Sequence, residues 1–352
     1  MDTIRKAKYL VGGRIIKTGI AVFLTVMICE WLNWPAMFAA ITAIVTIEPT
    51  AANSIKKAFV RFPAAAIGAA YSIAFNVVLG DHSYTYALVA IATIMTCHKL
   101  RLNEGTLVAT LTGVAMISTV HDHFIASFFI RLGATSIGLL VSTLVNLFVM
   151  SPNYSPAILN KIRDLFLETG DFIESRGLEL VDLHSKTNRN ESRSWFQKLM
   201  KNIEAIEVLC RYQKEEWKYH RFSRQDMRTF HYEYKKLNIL RQILYHAGNL
   251  LTISNQKVKV SEKNKDLVVE IVRSIKDILH HQQYEIETSH FEKINRVTEL
   301  FWDRKPDHCD SHHCFAPETV IFYELISISD LLEELHHIQS LELRHQKLYQ
   351  TE

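Results

Sequence analysis

Arg61 and Arg131 stand 70 residues apart, each at the start of or within a long apolar run. A guanidinium in that setting is costly unless it faces a bundle interior or a watery cavity. Its rigid fork of donors suits planar anions, so the pair reads as one anion-attracting group on each side of a membrane. The competing reading has each arginine snorkelling to headgroups or pairing with Glu30, Glu104 or Asp122. Glu48 is the leading candidate for proton coupling. It precedes Pro49, which removes a backbone donor and ends a helix, leaving carbonyls beside a carboxylate. Glu104 is the second such candidate, and Asn33 and Asn103, also 70 residues apart, are candidate substrate-binding amides. A separate cluster, His308, Cys309, Asp310, His312, His313 and Cys314, holds zinc-compatible donors. Its Cys-x4-Cys spacing matches no standard zinc pattern, so a solvated polar loop is expected, with His308, Cys309, His312, His313 and Cys314 as the residues to test for metal. No cofactor is expected. With neither a glycine-rich phosphate loop nor a nucleophile triad, no enzyme is expected either.

The elements that must position these groups are apolar helices. Six runs, at 15–31, 35–47, 62–79, 84–97, 105–120 and 124–150, approach the ~20 residues that cross a bilayer. The second and fourth are short, and by length alone each reads equally as a re-entrant segment. Lys and Arg placement favours crossing: Arg5, Lys6, Lys8, Arg14 and Lys17, then Lys56, Lys57 and Arg61, then Lys99 and Arg101, fall on one side only if all six runs span. The N-terminus and the tail are then cytoplasmic. Charge divides the chain similarly. Residues 1–150 carry about +5 and residues 151–352 about −2, which argues for a membrane domain followed by a soluble one. The net +3 is too small to argue for nucleic acid. Five scattered cysteines form no disulfide framework.

Residues 32–76 align with 102–146 at a constant offset of 70, with 13 of 45 positions identical. Apolar composition alone does not place Arg61/Arg131, Asn33/Asn103, Asn76/Asn146 and Gly68/Gly138 in register. Pro35 pairs with Gly105, both suited to a helix entry. The repeats, roughly 1–80 and 81–150, hold three crossings each. An odd number forces opposite insertion, the inverted plan of many secondary transporters, with substrate near the repeat interface.

After Ser151-Pro-Asn-Tyr-Ser-Pro156 the pattern becomes that of amphipathic helices. Ile158, Ile162, Leu165, Phe166 and Ile173 recur at three-to-four spacing, as do Leu237, Leu240, Leu244 and Leu251, and Ile321, Leu325, Ile328 and Leu332. Five or six helices in an antiparallel bundle are expected over 151–352.

The stretch Glu48-Pro-Thr, then Ser54-Ile-Lys-Lys-Ala-Phe-Val-Arg61, then Ala64-Ala-Ala-Ile-Gly68 resembles the fusaric-acid-resistance (FUSC)-like superfamily. Within it, the match is to the aromatic acid exporter family, member-1 type. The resemblance covers the membrane half by motif and the tail by layout. It implies export or conduction of organic anions by a dimer in the cell membrane. Arg61 and Gly68 carry over by motif. Pro63 departs from it, standing where the family often has glycine, which the second repeat keeps as Gly133. The leading expectation is an exporter of organic, aromatic carboxylic anions. The alternatives are an anion channel of the same fold and a membrane-anchored sensor or scaffold worked by the tail.

Overall fold

The computed structural model describes residues 13–118, 124–149, 152–181, 189–220, 223–253, 262–303 and 316–350. Among them every regular element is helical. The helices are α1 (Gly13–Trp31), α2 (Ala36–Thr46), α3 (Ala51–Leu79), α4 (Ser83–Lys99), α5 (Thr106–Ile117), α6 (Phe124–Phe148), α7 (Ser155–Val181), α8 (Arg189–Glu216), α9 (Arg224–Thr252), α10 (Glu262–His280), α11 (Thr288–Asp303) and α12 (Pro317–Gln350), with a short 3-10 turn at Asn103–Gly105 before α5. The expected all-α class is observed. Two compact units divide the chain: Met1–Asn153 with Tyr212–Arg221, and Tyr154–Arg211 with Phe222–Glu352. The joining of Tyr212–Arg221 to the first unit was not expected from the sequence.

Helix ends in the first unit follow local chemistry. Pro35 caps α2 and Gly105 caps α5, the residues matched by the repeat. Thr50 caps α3 by accepting from the Asn53 N–H, and Gly80, at φ 71°, closes the same helix with its N–H on the Asn76 carbonyl. Two helices, α3 and the Ile125–Phe148 stretch of α6, are long and apolar enough to cross a bilayer unaided. By contrast α2 has 11 residues and α5 has 12, about 16–18 Å of helix against a hydrocarbon core of roughly 30 Å.

The repeat extends further than the sequence alignment. In α1 the buried stripe is Lys17, Ala21, Thr25 and Cys29; in α4 it is Thr85, Val89, Thr93 and Cys97. Each member matches at an offset of 68, so the first helices are equivalent once two extra residues before α5 are allowed. Packing then reveals an exchange. The third helix of each repeat lies on the second helix of the other: α3 on α5, and α6 on α2. A Cβ on Gly68 would come 2.1 Å from the Ala109 carbonyl oxygen, and one on Gly138 2.5 Å from that of Ala39. Both pairs are related by the offset of 70. Only glycine permits such an approach.

These contacts also fix direction. Along α3 and α5, Arg61 lies by Gly105, Gly68 by Ala109 and Asn76 by Ile117, so the two run parallel. Along α6 and α2, Gly133 lies by Trp34, Gly138 by Ala39 and Asn146 by Glu48, again parallel. Helix α1 runs against α2 and α6, with Cys29 on Ala39 and Ala134, and Ala21 on Ile47 and Val145. Helix α4 runs against α3 and α5, with Cys97 on Ala64 and Ala109 and Val89 beside Gly113.

The second unit packs α7 on α9 and α10, and α12 on α9, α10 and α11. The apolar stripes read from the sequence are its core: Ile158, Ile162, Phe166, Leu237, Leu240, Leu325 and Leu332 are all buried. Arg176, fully buried, pairs with Glu179 at 2.8 Å and donates to the Leu250 and Ile253 carbonyls at the end of α9. His290 of α11 bridges Ser274 of α10 and Ser329 of α12, with 2.8 Å to each hydroxyl.

The glycine contacts and the buried histidine each lead to a measurable effect. Gly68→Ala and Gly138→Ala should each lower unfolding free energy by about 1–3 kcal/mol, whereas Gly19→Ala, which meets nothing within 4 Å, should leave it unchanged or raise it by up to about 1 kcal/mol. Denaturant titration in detergent reads both. Burial, then Lys293, depresses the His290 pKa to about 4. The unfolded chain, with a histidine pKa of about 6.5, then takes a proton that the native state refuses, so stability falls as pH drops from there toward 4. Between pH 7 and pH 5 this group should remove about 2 kcal/mol from the second unit, and His290→Gln should lose that part of the acid slope.

Candidate functional site

A cavity of about 220 Å³ lies between α2 and α5. Its walls pair across the repeat: Phe38 with Val108, Ile41 with Leu111, and Thr42 with Thr112. Arg131 reaches into it from α6. The guanidinium carbon sits 3.0 Å from the centroid of the Phe38 ring, a cation–π placement. Arg131 is 5% exposed, makes no ion pair among the described residues, and leaves Nε and Nη1 without hydrogen-bond acceptors. A buried guanidinium with free donors over an aromatic face is arranged to receive an anion that carries apolar surface. Gly133 holds the helix here: a Cβ on it would meet the Trp34 ring at 2.4 Å. In the second repeat the residue matching Trp34 is Glu104, whose side chain turns to Lys57; in the first repeat Pro63 stands at the position matching Gly133.

Arg61, the other arginine of the pair, is ion-paired, with only Nη1 left without an acceptor among the described residues. Its Nη2 lies 2.7 Å from Glu48 Oε1, and its Nε donates to the Glu104 carbonyl at 3.3 Å. Lys57 bridges Glu48 at 3.3 Å and Glu104 at 3.0 Å. Three predicted residues, Arg61, Glu48 and Glu104, are thus gathered with Lys57 into one cluster of two cations and two carboxylates. Pro49 ends α2 beside it, and the Glu48 N–H donates to Ser54 Oγ at 3.3 Å. The side-chain pairing expected with Glu30, Glu104 or Asp122 is made for Arg61 with Glu48 instead; Glu104 contributes its carbonyl, and Asp122 lies outside the described residues. Arg131 lies over Phe38, toward the opposite end of α2.

The remaining predicted residues lie elsewhere. Asn33 and Asn103 are both exposed, Asn33 in a tight turn at φ 54° and Asn103 in the 3-10 turn; neither lines the cavity. Asparagine is among the few residues that tolerate a positive φ, which accounts for Asn33 without a ligand. The His308–Cys314 cluster lies outside the described residues. Among the described residues no group of three or more His, Cys, Asp or Glu is placed to hold a metal.

A polar network around the α3 N-terminus was missed. Lys17, buried, donates to Asn146 Oδ1 at 2.9 Å. The Asn146 amide donates to the Glu48 and Thr50 carbonyls at 3.1 Å and to Ser54 Oγ at 2.7 Å. Glu215 accepts from Thr50 Oγ1 at 2.8 Å and Asn53 Nδ2 at 2.9 Å, and Glu216 from the Ala51 N–H at 2.8 Å. Carboxylates at a helix N-terminus meet its unpaired N–H groups and its positive dipole end. His220 Nδ1 approaches Glu216 at 2.8 Å. The match of Asn146 with Asn76 was a usable signal. Glu215 and Glu216 gave none, being two acidic residues among many in the tail.

Glu48→Gln should leave Arg61 buried without its charge partner and cost about 3 kcal/mol. Glu48→Gln with Arg61→Gln should cost less than the two single changes together, by at least about 1 kcal/mol. A double-mutant cycle on unfolding in detergent measures this.

Residues 9–149 match the family described as aromatic acid exporter family member 1. A UPF0421 protein of Bacillus cereus is 44% identical, covering 96% of each chain. Another, from Oceanobacillus iheyensis, is 40% identical over 96% of this chain and 98% of its own length. A third, from Staphylococcus aureus (strain USA300), is 33% identical over 93% and 97%. The chain therefore belongs with the UPF0421 proteins, to which it is related over nearly its whole length, and its residues 9–149 are of the aromatic acid exporter family, member-1 type.

Proposed function

We propose that the first unit exports organic anions, chiefly aromatic carboxylates, from the cytoplasm across the cell membrane. The observation that carries this reading is Arg131, buried over Phe38 with no ion-pair partner among the described residues, in a mainly apolar cavity between repeat-equivalent helices. The guanidinium takes the carboxylate, and Phe38, Ile41 and Leu111 take the ring. In this reading the chain crosses six times as two inverted three-helix repeats and works as a dimer. The helix directions support it: if each successive helix reverses, α3 must run with α5 and α2 with α6, as their glycine contacts have them. The shortness of α2 and α5 is compatible with it, because protein groups satisfy the backbone where each helix stops. Asn146 donates to the Glu48 carbonyl and Asn76 to that of Ile117. In this reading, which the basic loops support, the N-terminus, the second unit and the Glu48–Arg61–Lys57–Glu104 cluster are on the cytoplasmic side. Protonation of Glu48 would free Arg61 to meet an incoming anion, so the cluster is the proton-coupled entrance, with Glu104 holding Lys57 meanwhile.

Arg131→Gln should reduce efflux of benzoate from preloaded cells by roughly tenfold or more at matched membrane expression, the loss expected for one charged hydrogen-bond pair. Arg131→Lys should retain an intermediate rate, since it keeps the charge without the fork. Unchanged efflux in Arg131→Gln overturns the reading.

A further inference from the structure

The second unit contains a polar cavity of about 320 Å³, in the size range of small-metabolite sites. One wall comes from α9 and α12. There Lys236, 3% exposed, is held between Glu233 at 2.7 Å and Glu342 at 2.6 Å. Two carboxylates around one ammonium leave this wall one negative charge in excess. Beside them Gln339, 9% exposed, lines the same cavity, and its Oε1 accepts no hydrogen bond among the described residues. A buried acceptor without a donor costs about 1–3 kcal/mol, and together with the excess carboxylate it calls for a cationic donor.

The wall from α7 carries a cation. Arg163 of α7 lines it, exposed and without an ion-pair partner among the described residues. The rings of Phe166, also on α7, and of Tyr284 line the cavity too, with centroids 5.0 Å apart. Tyr284 is held at φ 51°, a conformation rare for an aromatic residue, by the turn that follows α10. Burial, then Glu233 and Glu342, push its hydroxyl pKa up, so it remains a protonated donor.

We infer that this cavity binds a small apolar α-amino acid, with its ammonium group on Gln339, Glu342 and Glu233, its carboxylate on Arg163, and its side chain on Phe166 and Tyr284. A monovalent amine leaves Arg163 unmet, and a monovalent carboxylate meets the excess negative charge of the α9–α12 wall. The zwitterion answers both walls. The second unit thereby acquires a ligand of its own, chemically distinct from an exported acid and held by different residues.

Isothermal titration of the purified full-length chain in detergent tests this with three probes: L-phenylalanine, phenethylamine and 3-phenylpropionate. An Arg131→Gln background keeps the membrane cavity from contributing. L-phenylalanine should bind at one site, with both single-charge analogues weaker by about tenfold or more. Arg163→Gln and Gln339→Leu should each weaken L-phenylalanine by at least about tenfold. Both are expected to fold: Arg163 is exposed, and Gln339→Leu removes an unpaired buried acceptor. Absence of L-phenylalanine binding up to about 10 mM, equal binding of either analogue, or full affinity in the folded variants would overturn the assignment. The outcome is independent of whether the first unit exports anions.

Discussion

The architecture of the membrane unit depends on two backbone contacts. Gly68 rests on the Ala109 carbonyl and Gly138 on that of Ala39, and each joins the third helix of one repeat to the second helix of the other. With no hydrophobic force to draw helices together in lipid, association depends on close backbone packing. Because the glycines are equivalent, so are their consequences. Asn76 and Asn146 reach the ends of the partner short helices, at Ile117 and Glu48. Arg61 and Arg131 are carried to the start of those helices, at Glu104 and at Phe38.

From equivalent positions the two arginines enter opposite chemistries. Arg61 meets carboxylates and is neutralised by Glu48. Arg131 meets Phe38 and has no carboxylate among the described residues. The backbone is symmetric, and side-chain substitution at a few matched positions, such as Trp34 against Glu104, makes the two ends different. Such asymmetry would give the proposed conduit a direction: an ion-paired cluster at one end, and a guanidinium over an aromatic ring at the other. A buried cation with no acceptor among the described residues is expensive to hold, and an anion beside it would offset that cost.

Much of this was legible in the sequence, for identifiable reasons. The offset of 70 preserved Arg, Asn and Gly in register, and the helix entries at Pro35 and Gly105 followed from it. The equivalence of α1 and α4 was hidden, because two residues inserted before α5 shift it to 68 and a gapless comparison loses it. The exchange of third helices was not legible, since a repeat offset says which residues correspond but not which copy they touch. Hydropathy overestimated α5, whose apolar run continues to residue 120 although the helix ends at Ile117. Asn33 and Asn103 attracted notice as a matched pair, yet a matched pair in a turn reports the turn's geometry as readily as a ligand's. Lys17 was counted only as one of several basic residues near the N-terminus. Its burial against Asn146 is a contact across more than a hundred residues, with no local trace.

The central claim is that Arg131 makes the cavity an anion site, and the most direct measurement is equilibrium binding of benzoate to the purified protein, compared between the native chain and Arg131→Gln at equal thermal stability. The account predicts saturable binding by the native chain and a loss of affinity of about tenfold or more in the variant. Equal affinity in the two proteins would contradict it, because the cavity would then be holding its ligand by apolar contact alone.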